Sequence, residues 1–151
     1  MSFLSATKDI VTPELRELFA FWHRLCDGRP WPLRAQLDII DLKPWLGQIA
    51  MLDYERDRDD YFYRVFGSEL AHELSAEMTN RWVSDWEPAL AADLKRQYDK
   101  VRATGHPLVV CPESEELIRS RPFERLIVPL SRSNESVDCF LSATYLLRNG
   151  D

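Results

Sequence analysis

Apolar residues recur along this chain with two different spacings, and Gly or Pro closes most of the runs. Leu15, Leu18, Phe19, Trp22, Leu25 and Cys26 follow helical spacing and predict a first helix. Thr12-Pro13-Glu14 reads as its start: a capping hydroxyl, proline at the first helical position, and an acid at the positive end of the dipole. Gly28 ends the run. Phe21 lies off the stripe, so the helix carries more apolar surface than one seam covers. It can pack on its own domain or on a second copy, and the pattern does not choose. Residues 1–11 carry no pattern and read as a flexible arm or an edge contact.

Arg29-Pro30-Trp31-Pro32 cannot continue a helix and reads as an extended connector. Asp38 can cap a short helical stretch reaching Leu46, with Ile39, Leu42, Trp45 and Leu46 as its buried candidates. Pro44 interrupts that stretch, so two separate turns fit equally well. Residues 48–54 and 61–66 then predict two strands of an antiparallel hairpin across the charged turn 55–60. The second strand, Tyr-Phe-Tyr-Arg-Val-Phe, is rich in aromatic and β-branched residues. Gly67 breaks it, and Ser68 can cap the helix that follows, with Glu69 in its first turn.

Residues 68–86 predict short helical turns. Leu70, Leu74 and Met78 are spaced four apart, as are Trp82 and Trp86. Pro88 opens a longer helix through residue 103, with Leu90, Leu94, Tyr98 and Val101 buried and Lys95, Arg96, Asp99 and Lys100 mostly outside. Gly105 closes it and Pro107 prevents its return. The remainder is β: strands at 107–111, 123–130 and 137–147, with a polar, acidic loop at 112–121 and a turn at 132–136. Alternation over 123–130 puts Leu126, Val128 and Leu130 on one face and Phe123, Arg125 and Ile127 on the other. Pro129 fits only an edge, a bulge or a strand end. The fold class expected is α+β: an antiparallel sheet with helices on one face.

Composition narrows the function classes. A chain of 151 residues, 45% hydrophobic and 29% charged, suits one soluble domain. A net charge of −6 argues against nonspecific nucleic-acid binding, which needs a basic surface. Arg119, Arg121 and Arg125 lie close in sequence and read as a solvated face. No apolar run has the length of a membrane helix, and the N-terminus lacks the pattern of a signal peptide. The three cysteines, Cys26, Cys111 and Cys139, are odd in number and widely spaced, which suits reduced thiols in a cytoplasm.

Four segments together carry a family resemblance: Leu33-Arg34-Ala35-Gln36-Leu37-Asp38-Ile39, Tyr63-Arg64-Val65-Phe66-Gly67, Gly105-His106-Pro107 and Glu124-Arg125-Leu126-Ile127-Val128-Pro129-Leu130-Ser131. In order and spacing the chain resembles a family of small bacterial PAS-like proteins, common in alphaproteobacteria and mostly of unknown function. The resemblance covers about residues 30–147. It implies five antiparallel strands with helices between the second and third. It divides the chain into an N-terminal helical extension, 1–29, and a PAS-like domain, 30–151. The family carries Thr-Gly-Arg where this chain has Thr79-Asn80-Arg81. Asparagine also tolerates the left-handed conformation, so the turn is expected to survive. The resemblance implies a cytoplasmic sensory or protein-interaction domain, often dimeric. It implies no particular cofactor, since PAS domains elsewhere hold haem, flavin, small acids or nothing.

No catalytic constellation is evident. His23, His72 and His106 fall on separate elements without metal-ligand spacing. His72 falls nearest the expected helix-lined pocket, where an axial haem ligand would sit, but no second feature supports that role. Residues 68–86 contain no cysteine, which argues against a light-sensing flavin adduct. Cys111 and Cys139 read as core residues, and Glu113, Glu115 and Glu116 as a solvated loop. Trp82 and Trp86, four apart on a helical face, would form an aromatic wall. Such a wall belongs either to the core or to a cavity for an apolar or aromatic ligand, with Arg81 or Arg64 pairing a carboxylate. Arg64 and Arg125 read first as ion-paired sheet residues. The candidate pocket therefore comprises Arg64, His72, Met78 and Arg81, with Trp82, Trp86 and Tyr98.

The function expected is a non-enzymatic sensory domain that binds a small molecule or a signalling protein. Ligand binding would shift how the N-terminal helix packs, and that helix would also carry a homodimer. Two alternatives compete. One is a small enzyme of cone or hot-dog shape with a His–carboxylate general base. The other is a ligand-free interaction module with a filled core.

Overall fold

The fold is given by a computed structural model that describes residues 9–111 and 122–147, together with the backbone of residues 2–4. The expectations for Glu113, Glu115, Glu116, Arg119, Arg121 and the loop 112–121 lie outside the described residues. The elements run β1 (Ser2–Leu4), α1 (Pro13–Cys26), β2 (Ile49–Glu55), β3 (Asp60–Phe66), α2 (Ser68–Leu74), α3 (Pro88–Thr104), β4 (Leu108–Cys111), β5 (Phe123–Leu130) and β6 (Cys139–Leu146). Strands β2 to β6 form the expected five-stranded antiparallel layer. β1 adds to its edge, giving the order β1-β4-β5-β6-β2-β3. The arm at the N-terminus is thus an edge contact over residues 2–4, paired with β4 in the register Phe3↔Val110.

Both faces of the sheet are covered. On one face Leu52, Tyr61, Tyr63, Val110, Ile127 and Phe140 pack against Leu70 of α2 and Leu94, Tyr98 and Val101 of α3. On the other, Met51, Val109, Leu126, Val128, Leu130 and Leu141 pack against Leu15, Leu18, Trp22 and Cys26 of α1. The alternation read for β5 therefore holds. The stripe of α1 lies on its own domain, and Phe19, Phe21 and Leu25 are half-buried at its margin. Burial of such side chains contributes about 1.5–3 kcal/mol each.

Local chemistry fixes the joins. Thr12 occupies the N-cap of α1, but its hydroxyl makes no capping hydrogen bond. The carboxylate of Glu124, fully buried on β5, instead accepts from the backbone N–H of Val11 (3.0 Å) and Thr12 (2.9 Å). The Trp22 indole donates to the Pro129 carbonyl at 2.9 Å. Pro129 lies past Ile127, the last β5 residue paired with β4, so on that side it is locally an edge and its missing N–H costs no ladder bond. Gly67, rather than Ser68, holds the N-cap of α2, with φ −61°. Glycine is required there by contact: a Cβ would stand 2.3 Å from the Gly47 carbonyl oxygen.

The stretch after Asp38 is a 3-10 segment, Ile39–Gln48, opened by the Asp38 side chain accepting from the Ile40 N–H. With three residues per turn, Leu42 and Trp45 repeat on the buried side and Leu46 turns away. Leu46 and Ile39, expected inside, are exposed, Ile39 because it stands at the outer start of the segment. Asn80 adopts φ 66°, so the turn at Thr79-Asn80-Arg81 survives the loss of glycine. Backbone bonds from Tyr63 N–H to the Arg81 carbonyl (2.9 Å) and from Asn80 N–H to the Tyr63 carbonyl (2.8 Å) tie it to β3.

Candidate functional site

A row of paired residues crosses the sheet: Leu108, Ile127, Ser142, Ala50 and Phe66. Ala50 and Ser142, adjacent in the row, are its small members. Large side chains stand to either side, so α2 and α3 bridge over a hollow. The result is a cavity of about 330 Å³ between sheet and helices. Its apolar walls come from Phe66, Leu70, Leu74, Trp86, Leu90, Leu94 and Phe123, while Glu87 and Asp93 also border it.

The polar groups converge on the sheet side. Arg125 and Thr144 are direct partners in the β5–β6 register, and Arg125 Nε donates to Thr144 Oγ1 at 3.0 Å. Arg125 Nη1 donates to Gln97 Oε1 on α3, also at 3.0 Å. Tyr98 donates from its hydroxyl to Ser142 Oγ at 3.0 Å, and the Trp86 indole donates to the Tyr63 hydroxyl at 3.0 Å. Burial pushes the Tyr63 and Tyr98 phenols up, against the opposing pull of the Arg125 charge, so both stay protonated at neutral pH. Arg125 is 8% exposed, and among the described residues no carboxylate pairs with it.

The sequence-derived candidates separate. Trp86 and Tyr98 line the cavity; Met78 is buried in the same core but does not. Arg64 points to the opposite side from Tyr63, is exposed, and pairs with Asp53 at 2.5 Å and Glu55 at 3.8 Å. That is the ion-paired sheet role read for it. His72 and Arg81 are exposed and line no part of the cavity. Trp82 packs edge-on against Phe62 at 4.9 Å and lies under Arg58 at 3.8 Å, outside the edge strand. The two tryptophans do not share a face, because the chain between them, Val83–Asp85, is a 3-10 turn and a four-residue spacing does not repeat on it. Arg125, read first as an ion-paired sheet residue, is instead the cavity's cation. Alternation had set it on the face of Phe123 and Ile127. Its lack of a carboxylate partner has no local sequence signal, and nothing in the sequence marks Gln97.

Other features of chemical interest are accounted for elsewhere. No histidine side chain meets a carboxylate among the described residues, and no cluster there suits a metal ion. Burial, with Asp53 nearby, pushes the Cys139 thiol up to about 12, which removes it as a nucleophile at neutral pH. A larger cleft, about 690 Å³, lies between the start of α1, Gln48, Glu73 and Tyr145. It reaches Leu147, where the described residues stop, and its lining is more polar, with Thr12, Glu14, Tyr145 and a hydrogen-bonded Gln48–Glu73 pair. No described helix is long and apolar enough to cross a membrane.

Comparison with known proteins agrees with this architecture. No curated protein matches the sequence. The PAS domain of BvgS from Bordetella pertussis shares the fold with TM-score 0.53 and 14% identity, covering 87% of this chain and 88% of that one. A sensory box sensor histidine kinase from Vibrio cholerae gives TM-score 0.51 and 12% identity, with 93% and 99% covered. At such identities the likeness is one of fold alone. The sequence itself matches the family model of the PAS domain over residues 10–144, a span that includes α1, strands β2 to β5, most of β6 and every wall of the cavity. By that match the chain belongs to the PAS domain family.

Proposed function

We propose that this PAS domain is a sensory module that takes a small ligand into the cavity between α2, α3 and the sheet, without catalysis. PAS domains are typical of bacterial sensory and signalling proteins, and one of the structures that share this fold is a sensor histidine kinase. One observation carries the ligand reading: an apolar hollow of about 330 Å³ with a buried, hydrogen-bonded arginine on its sheet side. Small-molecule sites have this composition, apolar walls with a few fixed polar groups. The signalling step is a population shift that reaches α1 on the opposite face. A protein partner or a second copy would meet the outer rim there, where Ile40 is 73% exposed beside Ile39 and Leu46, since the inner stripe of α1 is already covered.

The test is equilibrium dialysis of the full chain against a bacterial metabolite extract, read by mass spectrometry. Ala50→Leu serves as the filled-cavity control. One or a few compounds are expected to concentrate with the wild-type protein and not with the variant. Equal retention of the same compounds by both, or none by either, would overturn the ligand reading and leave the interaction module.

A further inference from the structure

We infer that the cavity accepts a small monocarboxylic acid with an apolar or aromatic body, its carboxylate held by Arg125; this rests on the ligand-cavity reading above. Arg125 is almost fully buried, and its hydrogen-bond partners among the described residues are neutral: the Thr144 hydroxyl and the Gln97 amide oxygen. A guanidinium offers five N–H donors in a fixed fork. The Nη2 group has no hydrogen-bond partner among the described residues, and Arg125 lines the cavity. The neighbouring carboxylate cannot help. Glu124 faces the other side of the sheet and is held by the Val11 and Thr12 amides. A buried cation without a counter-ion is costly, so an anion arriving from outside meets a preformed, dehydrated partner.

The surroundings define the anion. Tyr63 and Tyr98 are neutral, and Ser142 and Thr144 carry no charge, so the inner cavity holds one positive charge. Glu87 and Asp93 border it and disfavour a second negative group on the ligand. That sets a monoanion above a dicarboxylate or a phosphate ester. Phe66, Leu70, Trp86 and Phe123 supply an aromatic and aliphatic surround for the body. The volume of about 330 Å³ lies at the lower end of the range for small-molecule pockets. A ring or a short alkyl chain with its carboxylate fits.

The experiment compares phenylacetate and hexanoate with phenylacetamide and phenethylamine at pH 7, by titration calorimetry on the full chain. In the wild-type protein the acids are expected to bind at least about tenfold more tightly than the amide, and the amine not at all. Arg125→Met is expected to abolish that preference, and Ala50→Leu to abolish binding of every probe. The acid-to-amide ratio is read in wild type, so a variant that fails to fold does not spoil the test. An amide or amine bound as tightly as the acid, or a preference that survives in Arg125→Met, overturns the carboxylate assignment while the ligand cavity stands. Absence of any binding in wild type overturns both.

Discussion

Glu124 and Arg125 are consecutive on β5 and hold opposite faces of the sheet. Glu124 accepts two backbone N–H groups at the start of α1, while Arg125 spans the cavity to Gln97 of α3. Strand alternation makes this unavoidable: whatever moves the backbone at one of them moves the other. The site proposed for a ligand and the helix proposed to report on it are thus one peptide bond apart.

The Glu124 contact has a measurable stability consequence. Glu124→Gln keeps the shape but leaves a single acceptor oxygen, so one of the two bonds to Val11 and Thr12 is lost and an NH2 donor faces a backbone N–H instead. The substitution is expected to lower unfolding free energy by about 1–3 kcal/mol. Urea denaturation followed by circular dichroism would measure it. A loss within error would mean that α1 is held by its apolar stripe alone.

Two glycines separate steric need from conformational need. At Gly67 the backbone is ordinary, but an added Cβ would stand 2.3 Å from one Gly47 atom and 2.5 Å from another. Gly67→Ala must push backbone apart, and a cost of about 1–3 kcal/mol is expected. At Gly28 the φ is +82° and nothing lies within 4 Å of the added methyl. Gly28→Ala is expected to cost about 1 kcal/mol, through the left-handed backbone alone. Equal and negligible costs at both sites would contradict the close approach of Gly47 and Gly67.

Alkaline pH should destabilise the fold through phenols and a thiol. Burial pushes Tyr61, Tyr63 and Tyr98 above the ordinary 10.0. Burial, then Glu14, Glu17 and Glu73, pushes Tyr145 up to about 12, and Cys139 rises from 9.0 to about 12. With folded values raised, the unfolded chain loses protons first, so it binds fewer protons than the native state. The contribution of these groups is therefore level below about pH 9 and lowers stability as pH rises towards 12 and beyond. Tyrosinate absorbance on titration is expected to lag well behind that of the urea-unfolded chain. Coincident curves for folded and unfolded protein would contradict the burial of these groups.

The sequence was informative where one element decides the outcome. Alternation over 123–130 assigned each residue to its face, and Pro13, Pro88 and Gly105 marked helix ends close to where they fall. The cavity was not legible in the same way. It arises because Ala50 and Ser142 meet across two strands that are distant in sequence, and only the register brings two small side chains together. The different surroundings of Arg64 and Arg125 were hidden for a related reason. Both sit on strands among aromatic residues. Arg64 finds Asp53 on the neighbouring strand, while the register offers Arg125 Val110 and Thr144, neither of them charged. Trp82 and Trp86 were joined by assuming an α-helix where the chain makes a 3-10 turn.

The separation between Arg64 and Arg125 gives a paired prediction. The Arg64 side chain is 53% exposed, and its ion pair with Asp53 is shared with Arg132 at 3.4 Å. Arg64→Ala is expected to cost under about 1 kcal/mol and to leave acid binding unchanged. Any loss of binding in Arg64→Ala comparable to that in Arg125→Met would move the site to the outer side of β3.

The last prediction concerns transmission. A carboxylate taken by the Nη2 group of Arg125 would load β5 one residue from Glu124. Glu124 moves with it, and the two N–H groups it accepts, on Val11 and Thr12, must follow or open. Neither lines the cavity, though both line the larger cleft, so any effect there must also vanish in Arg125→Met to count as transmission. Hydrogen exchange at the Val11 and Thr12 amides is therefore expected to change severalfold when phenylacetate binds. In Glu124→Gln the change should shrink while the affinity for the acid holds. Exchange that changes only around the cavity would place the signalling output on α2 or α3 and free α1 from any part in it.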